Sequence, residues 1–77
     1  MEDIKKEFVI YNNDGDHGKM YFTGTEWGGP GYFNQLSGAY RFDNRVETEE
    51  VRDWLDEVLV VPQEHFIEEV TNEQANH

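Results

Sequence analysis

Residues 43–61, DNRVETEEVRDWLDEVLVV, constrain this chain more than any other stretch, because they carry an apolar stripe and an acidic arc at helical spacing. Apolar side chains recur at Val51, Trp54, Leu55, Val58 and Leu59. That is the i, i+3, i+4, i+7, i+8 pattern of a helix that buries one face. Thr48 is the expected N-cap, with Glu49 and Glu50 in the first turn, where acids suit the positive end of the helix dipole. Pro62 ends the segment, since the residue before a proline is pushed toward extended geometry, and Val60 and Val61 fall in the exit. A helix with one apolar stripe needs a surface to cover it, so the rest of the chain is expected to supply a sheet.

The polar side of this helix is unusual. At about 100° per residue, Glu49, Glu50, Asp53, Asp56 and Glu57 share one arc of roughly 120° opposite the apolar stripe. Like charges three or four residues apart repel by a few tenths of a kcal/mol. Asp56 and Glu57 also sit toward the negative end of the dipole. Folding alone does not call for this arrangement. It is either a solvated face kept charged for solubility or a surface of carboxylates for a basic partner. The formal net charge of −11 is concentrated in the same half: residues 1–42 hold six acids against four bases, and residues 43–77 hold eleven against two. Such a field repels nucleic acid and anionic membrane and attracts a basic protein surface.

Seventy-seven residues make a single domain near the lower limit for a self-sufficient core, ordered over about residues 7–70 with frayed ends. With no cysteine there is neither a disulfide framework nor thiolate chemistry, and a cytoplasmic location fits. The start, MEDIKKEF, shows no apolar signal segment, and no run reaches membrane-spanning length. Two Trp, four Tyr and five Phe can supply the packing.

Glu7–Asn12 reads as a strand, with Phe8 and Ile10 on one side and Val9 and Tyr11 on the other. The Asn13–Gly18 stretch is turn chemistry around Asp14-Gly15, and Lys19–Thr25 is the return strand of a hairpin. Asn12, Asp14 and Asp16 resemble the start of a calcium loop. The pattern fails at its fixed points, with His17 where Gly belongs and Thr23 where the bidentate Glu belongs, so no metal is expected. The glycine-rich stretch Trp27–Phe33, WGGPGYF, lacks the Lys-Ser/Thr ending of a phosphate loop. It reads as a tight connection whose aromatics cap the core, or as an exposed tip presenting Trp27, Tyr32 and Phe33 to a partner. Asn34–Ala39 reads as a helical turn with Leu36 and Ala39 inward, Tyr40–Phe42 as a third strand, and His65–Val70 as a last strand whose Phe66, with Ile67 or Val70, faces the helix.

The expected fold is therefore a small α+β domain of β-β-β-α-β order: an antiparallel sheet of three to four strands with one amphipathic helix packed on one face. Its core should include Phe8, Ile10, Phe22, Leu36, Phe42, Val51, Trp54, Leu55, Val58 and Phe66.

No catalytic site and no cofactor are expected. Ser37 is the only serine, and nothing in the sequence brings His17 or His65 to it. Carboxylates on a water-facing helix are not desolvated, so their pKa values are not tuned for acid–base work.

The run of Tyr21-Phe22-Thr23-Gly24, Trp27-Gly28, Leu36, Ala39-Tyr40, Phe42-Asp43 and Glu49-Glu50-Val51 resembles small acidic accessory proteins of phages and prophages, over roughly residues 7–70. The resemblance implies a bacteriophage or mobile-element source and a host bacterial cytoplasm. It also implies a non-catalytic inhibitor or modulator of a host nucleic-acid-handling protein, of DNA-mimic or anti-defence type such as anti-CRISPR or anti-restriction. The partner-binding residues expected on that reading are Glu49, Glu50, Asp53, Asp56 and Glu57, with Glu68 and Glu69 extending the charge. Two other readings stand beside it: an interaction module using the Trp27–Phe33 loop to grip a hydrophobic pocket or a second copy in a homodimer, and a homo-oligomeric phage structural or assembly component.

Overall fold

The computed structural model describes residues 6–14, 18–26, 28–58 and 63–71. Strands β1 (Lys6–Asp14), β2 (Gly18–Gly24) and β3 (Gly31–Phe33) come first, then a short 3-10 turn (Leu36–Gly38), helix α1 (Arg45–Val58) and strand β4 (His65–Thr71). The four strands form one antiparallel sheet in the order β3-β2-β1-β4, with α1 across one face, so the α+β architecture is as expected. The third strand is not the expected one. Gly31–Phe33, inside the glycine-rich stretch, pairs with β2, and Tyr40–Phe42 makes only a single bridge.

That bridge decides the topology. β1 and β2 pair from Asp14↔Gly18 to Tyr11↔Tyr21, and the register goes no further. Residues 40–42 lie along the strands where they part: the Phe8 N–H donates to the Phe42 carbonyl at 2.7 Å, the Phe42 N–H to the Phe8 carbonyl at 2.8 Å, and the Tyr40 N–H to the Phe22 carbonyl at 2.9 Å. Backbone groups in a domain interior need partners, and this segment provides them. It also carries the chain from one side of the sheet to the other. Ala39 packs on the face away from α1, with Val9, Tyr21, Val70 and half-buried Tyr11 and Leu36. Phe42 packs on the helix face, with Ile10, Phe22, Leu55 and half-buried Phe8, Tyr32, Val51 and Ile67.

Two cores thus lie on the two faces of one sheet, as strand alternation requires. This corrects the placement of Phe66. It points away from α1 and stacks near Tyr11, at 5.5 Å between ring centroids, while its neighbour Ile67 meets the helix. Gly38 lies under the Phe33 ring, where a Cβ would come within 2.5 Å of it.

The helix departs from expectation in its start and its roll. Asn44, not Thr48, is the cap: its Oδ1 accepts from the N–H groups of Val46 (2.8 Å) and Glu47 (3.2 Å). Thr48 is fully buried, its hydroxyl donating to the Asn44 carbonyl at 2.7 Å. With Thr48 and Leu55 both at 0 % exposure facing the sheet, the buried direction is turned by roughly 40° from the expected stripe. Trp54 and Val58, expected in the core, are 45 % and 41 % exposed instead. Leu59, Val60 and Val61 lie outside the described residues.

Leu55 and Trp54 should therefore respond differently to truncation. Leu55→Ala is expected to lower stability by about 2–5 kcal/mol through a cavity under the helix, and Trp54→Ala by ~1 kcal/mol, in the range of a partly exposed position. Urea unfolding midpoints at unchanged m-value measure both.

Candidate partner-binding surface

The outer surface of α1 is built by that roll. Glu50, Asp53 and Glu57 point to solvent, with exposed Val46 among them and Glu47, Trp54 and Val58 along the flank. Two of the helix acids are paired locally. Arg45 Nε lies 3.1 Å from Glu49, and Arg52 Nε lies 3.0 Å from Asp53. Exposed pairs of this kind contribute ~0–1 kcal/mol and give way readily to a competing cation. Glu50 and Glu57 make no ion pair among the described residues.

The other predicted acids lie elsewhere. Glu68 is on the opposite face of the sheet, where it accepts from Lys19 at 2.9 Å. That bond is the main reason the Lys19 ammonium is held above its usual range, and the Lys19 nitrogen also sits 4.2 Å over the Tyr11 ring. Glu69 is exposed near the end of β4, 3.5 Å from Lys6. Glu68 therefore does not extend the helix surface, whereas Glu69, opposite Phe8, is on the helix-side face of the sheet.

Asp56 belongs to the interior's rim. Its Oδ1 accepts from the His65 backbone N–H at 2.8 Å and lies 2.9 Å from His65 Nδ1, which is also 2.9 Å from the Gln63 carbonyl. Both neighbours of Nδ1 are acceptors, so the ring carries its proton there. Nε2 then accepts from the Tyr32 hydroxyl at 2.8 Å. Asn12 Nδ2 stands 3.4 Å from the same nitrogen and donates to Gln63 Oε1 at 2.9 Å. His65 is 1 % exposed. The result is a polar network within the helix-face core, tying the end of α1 to β4, β1 and β3.

Tyr–His–Asp order is the order of an acid–base relay, in which a third group orients the base. Here the first group holds its proton. Burial, and secondarily the Asp56 charge, push the Tyr32 hydroxyl up to about 12. At neutral pH Tyr32 is a hydrogen-bond donor to the His65 ring. The network fixes geometry: with Asp56 bonded to a strand, the roll of α1 is set, and Trp54 and Val58 are turned outward.

The sequence reading missed this network, treating Asp56 as solvated and His65 as idle. One signal was present. Asp56 and His65 are nine residues apart across the connection between helix and strand, so that short connection holds the two close in space. Tyr32 of the expected aromatic tip turns inward to His65, while Phe33 is 45 % exposed and Trp27 lies outside the described residues. Of the Asn12–Asp14–Asp16 pattern, Asp16 also lies outside them. Among the described residues no group of three or more His, Cys, Asp or Glu side chains is placed to hold a metal, and no helix is long and apolar enough to cross a membrane.

No known family model matches the chain, and neither a curated protein nor a solved structure is significantly similar to it.

The Tyr32 network has a pH signature. A folded-state value raised from 10.0 to about 12 means the protonated phenol is favoured by folding. Its contribution is complete below pH 10 and is lost as pH rises through 12. In a spectrophotometric titration of the tyrosines, a component near pH 12 is expected, and Tyr32→Phe should remove it. Absence of that component, or its persistence in Tyr32→Phe, would contradict the buried hydrogen bond.

Proposed function

We propose that this protein is a non-catalytic binding module that docks through α1 on a basic surface of a nucleic-acid-handling protein, as a small inhibitor or modulator. The observation that carries the reading is the set Glu50, Asp53 and Glu57, exposed together on one side of the helix in a chain of net charge −11. Carboxylates three and four residues apart on a helix stand about 5–6 Å from one another at their Cβ atoms. They can meet the Arg and Lys side chains of a nucleic-acid groove as phosphates do. The resemblance to small phage and prophage proteins points to a bacterial host partner, of the defence, repair or transcription kind. Charge also argues against self-association through this face, since two copies of α1 would bring like charges together.

The partner should be displaced by salt, because it is held by charge. Immobilised protein exposed to bacterial lysate is expected to retain a nucleic-acid-handling protein that elutes as salt rises. Asp53→Lys combined with Glu57→Lys should abolish that retention and leave the circular dichroism spectrum unchanged. Equal retention by the folded double variant would end the acidic-face reading.

A further inference from the structure

Beside the carboxylates, between α1 and the end of β2, lies an open groove of about 290 Å³ whose lining is mostly apolar. Phe22, Phe42 and Val51 line it together with Tyr40 and Trp54, and Glu47 stands among them. Tyr40 and Trp54 are 49 % and 45 % exposed, and Glu47 is exposed. The rings are held in place by their neighbours: Tyr40 lies 4.8 Å from Phe42 and 6.3 Å from Phe22, centroid to centroid, and Phe22 stacks on Phe42. Tyr40 is further fixed by its backbone bond to Phe22. At the low end of ligand-pocket volumes, the groove suits one long side chain and not a drug-sized molecule.

We infer that this groove is a receptor for an arginine side chain of the basic partner, an inference that rests on the proposed function and names what the partner inserts. The argument is complementarity. A guanidinium is weakly hydrated, stacks on Trp and Tyr faces, and pairs with a carboxylate through two parallel N–H donors, while its aliphatic stem covers apolar surface. The groove offers Trp54 and Tyr40 for stacking, Phe22, Phe42 and Val51 for the stem, and Glu47 for the charge. Among the described residues the cation–ring contacts fall on Tyr11, Tyr21 and Phe8, outside the groove. The carboxylates of Glu50, Asp53 and Glu57 attract a basic partner at long range, and the groove gives that attraction an anchor. Lysine fits less well, because its compact, strongly hydrated ammonium does not stack and cannot bridge a carboxylate bidentately.

The test is a titration of the isotopically labelled protein with acetyl-Gly-Arg-Gly-amide, followed by amide and indole NMR shifts. Matched peptides carry lysine or citrulline in place of arginine. Saturable shifts at the Trp54 indole, Gly24 and Thr25 are expected with the arginine peptide, weaker ones with lysine and none with citrulline. Glu47→Gln should weaken binding by about tenfold, and Trp54→Ala should remove the saturable response while the remaining spectrum stays folded. Shifts confined to Glu50, Asp53 and Glu57 would overturn the groove and leave the acidic-face reading standing. Equal binding of lysine would overturn the assignment to arginine, and equal binding of citrulline would overturn recognition of a cation. No response from any of these residues would overturn the groove, and the lysate experiment with Asp53→Lys and Glu57→Lys then decides the acidic face separately.

Discussion

An antiparallel pair that parts halfway leaves peptide groups facing each other across a gap too wide to bond. In this protein the gap falls within the two cores, between Phe8 on β1 and Phe22 on β2, and the segment 40–42 fills it. Much else depends on that insertion. Because the inserted segment alternates, Ala39 is delivered to one face and Tyr40 and Phe42 to the other, so a single crossing seeds both hydrophobic clusters. It also sets α1 down over the face that carries Ile10, Phe22 and Ile67, since the helix begins three residues after Phe42.

The polar interior then determines what the outside looks like. A carboxylate in the last turn of a helix faces the negative end of the dipole, an unfavourable position in water. Asp56 is compensated there by two donors from His65, one of them the backbone N–H at 2.8 Å. That bonding turns the helix so that Thr48, a polar residue, is wholly covered and Trp54, the largest residue of the helix, is not. An exposed tryptophan beside exposed acids is therefore a consequence of a buried histidine on β4, bonded to the last turn of the helix. The candidate groove and the candidate charged surface share that single origin.

The parts of this architecture that were legible in the sequence are those governed by period. Alternation in residues 7–12 and 19–25 gave the hairpin and the sidedness of Phe8, Ile10, Val9 and Tyr11, and the 3.6-residue period gave the helix. What was illegible depended on contacts between distant residues. Gly31–Phe33 became a strand because β2 was there to pair with it, although glycine and proline nearby read as a loop. Tyr40–Phe42 alternates like a strand yet serves as a plug, because its partners, Phe8 and Phe22, lie on two strands that have parted. The roll of α1 followed from His65 and not from the apolar stripe. For the surface, the carboxylates at Glu50, Asp53 and Glu57 could be read from the wheel. The diversion of Asp56 inward, Tyr32's hydrogen bond and the groove beside Trp54 could not, since each needs a partner from another element.

The pairing of β1 with β4 runs from Lys6↔Thr71 to Asn12↔His65, so strands from opposite ends of the described chain lie side by side, with β4 at the sheet's edge. Contacts of such long sequence separation close the largest loops and are made late. While the chain is being synthesised, the hairpin can pair and α1 can form turns, but β1 lacks its second neighbour until residue 71 has emerged from the ribosome. Val9 and Ile10, both fully buried in the finished domain, remain uncovered on that flank in the interval. Acquisition of the native state is thus tied to β4, and a nascent chain stalled before it would present an apolar, unpaired edge of the kind that chaperones and proteases recognise.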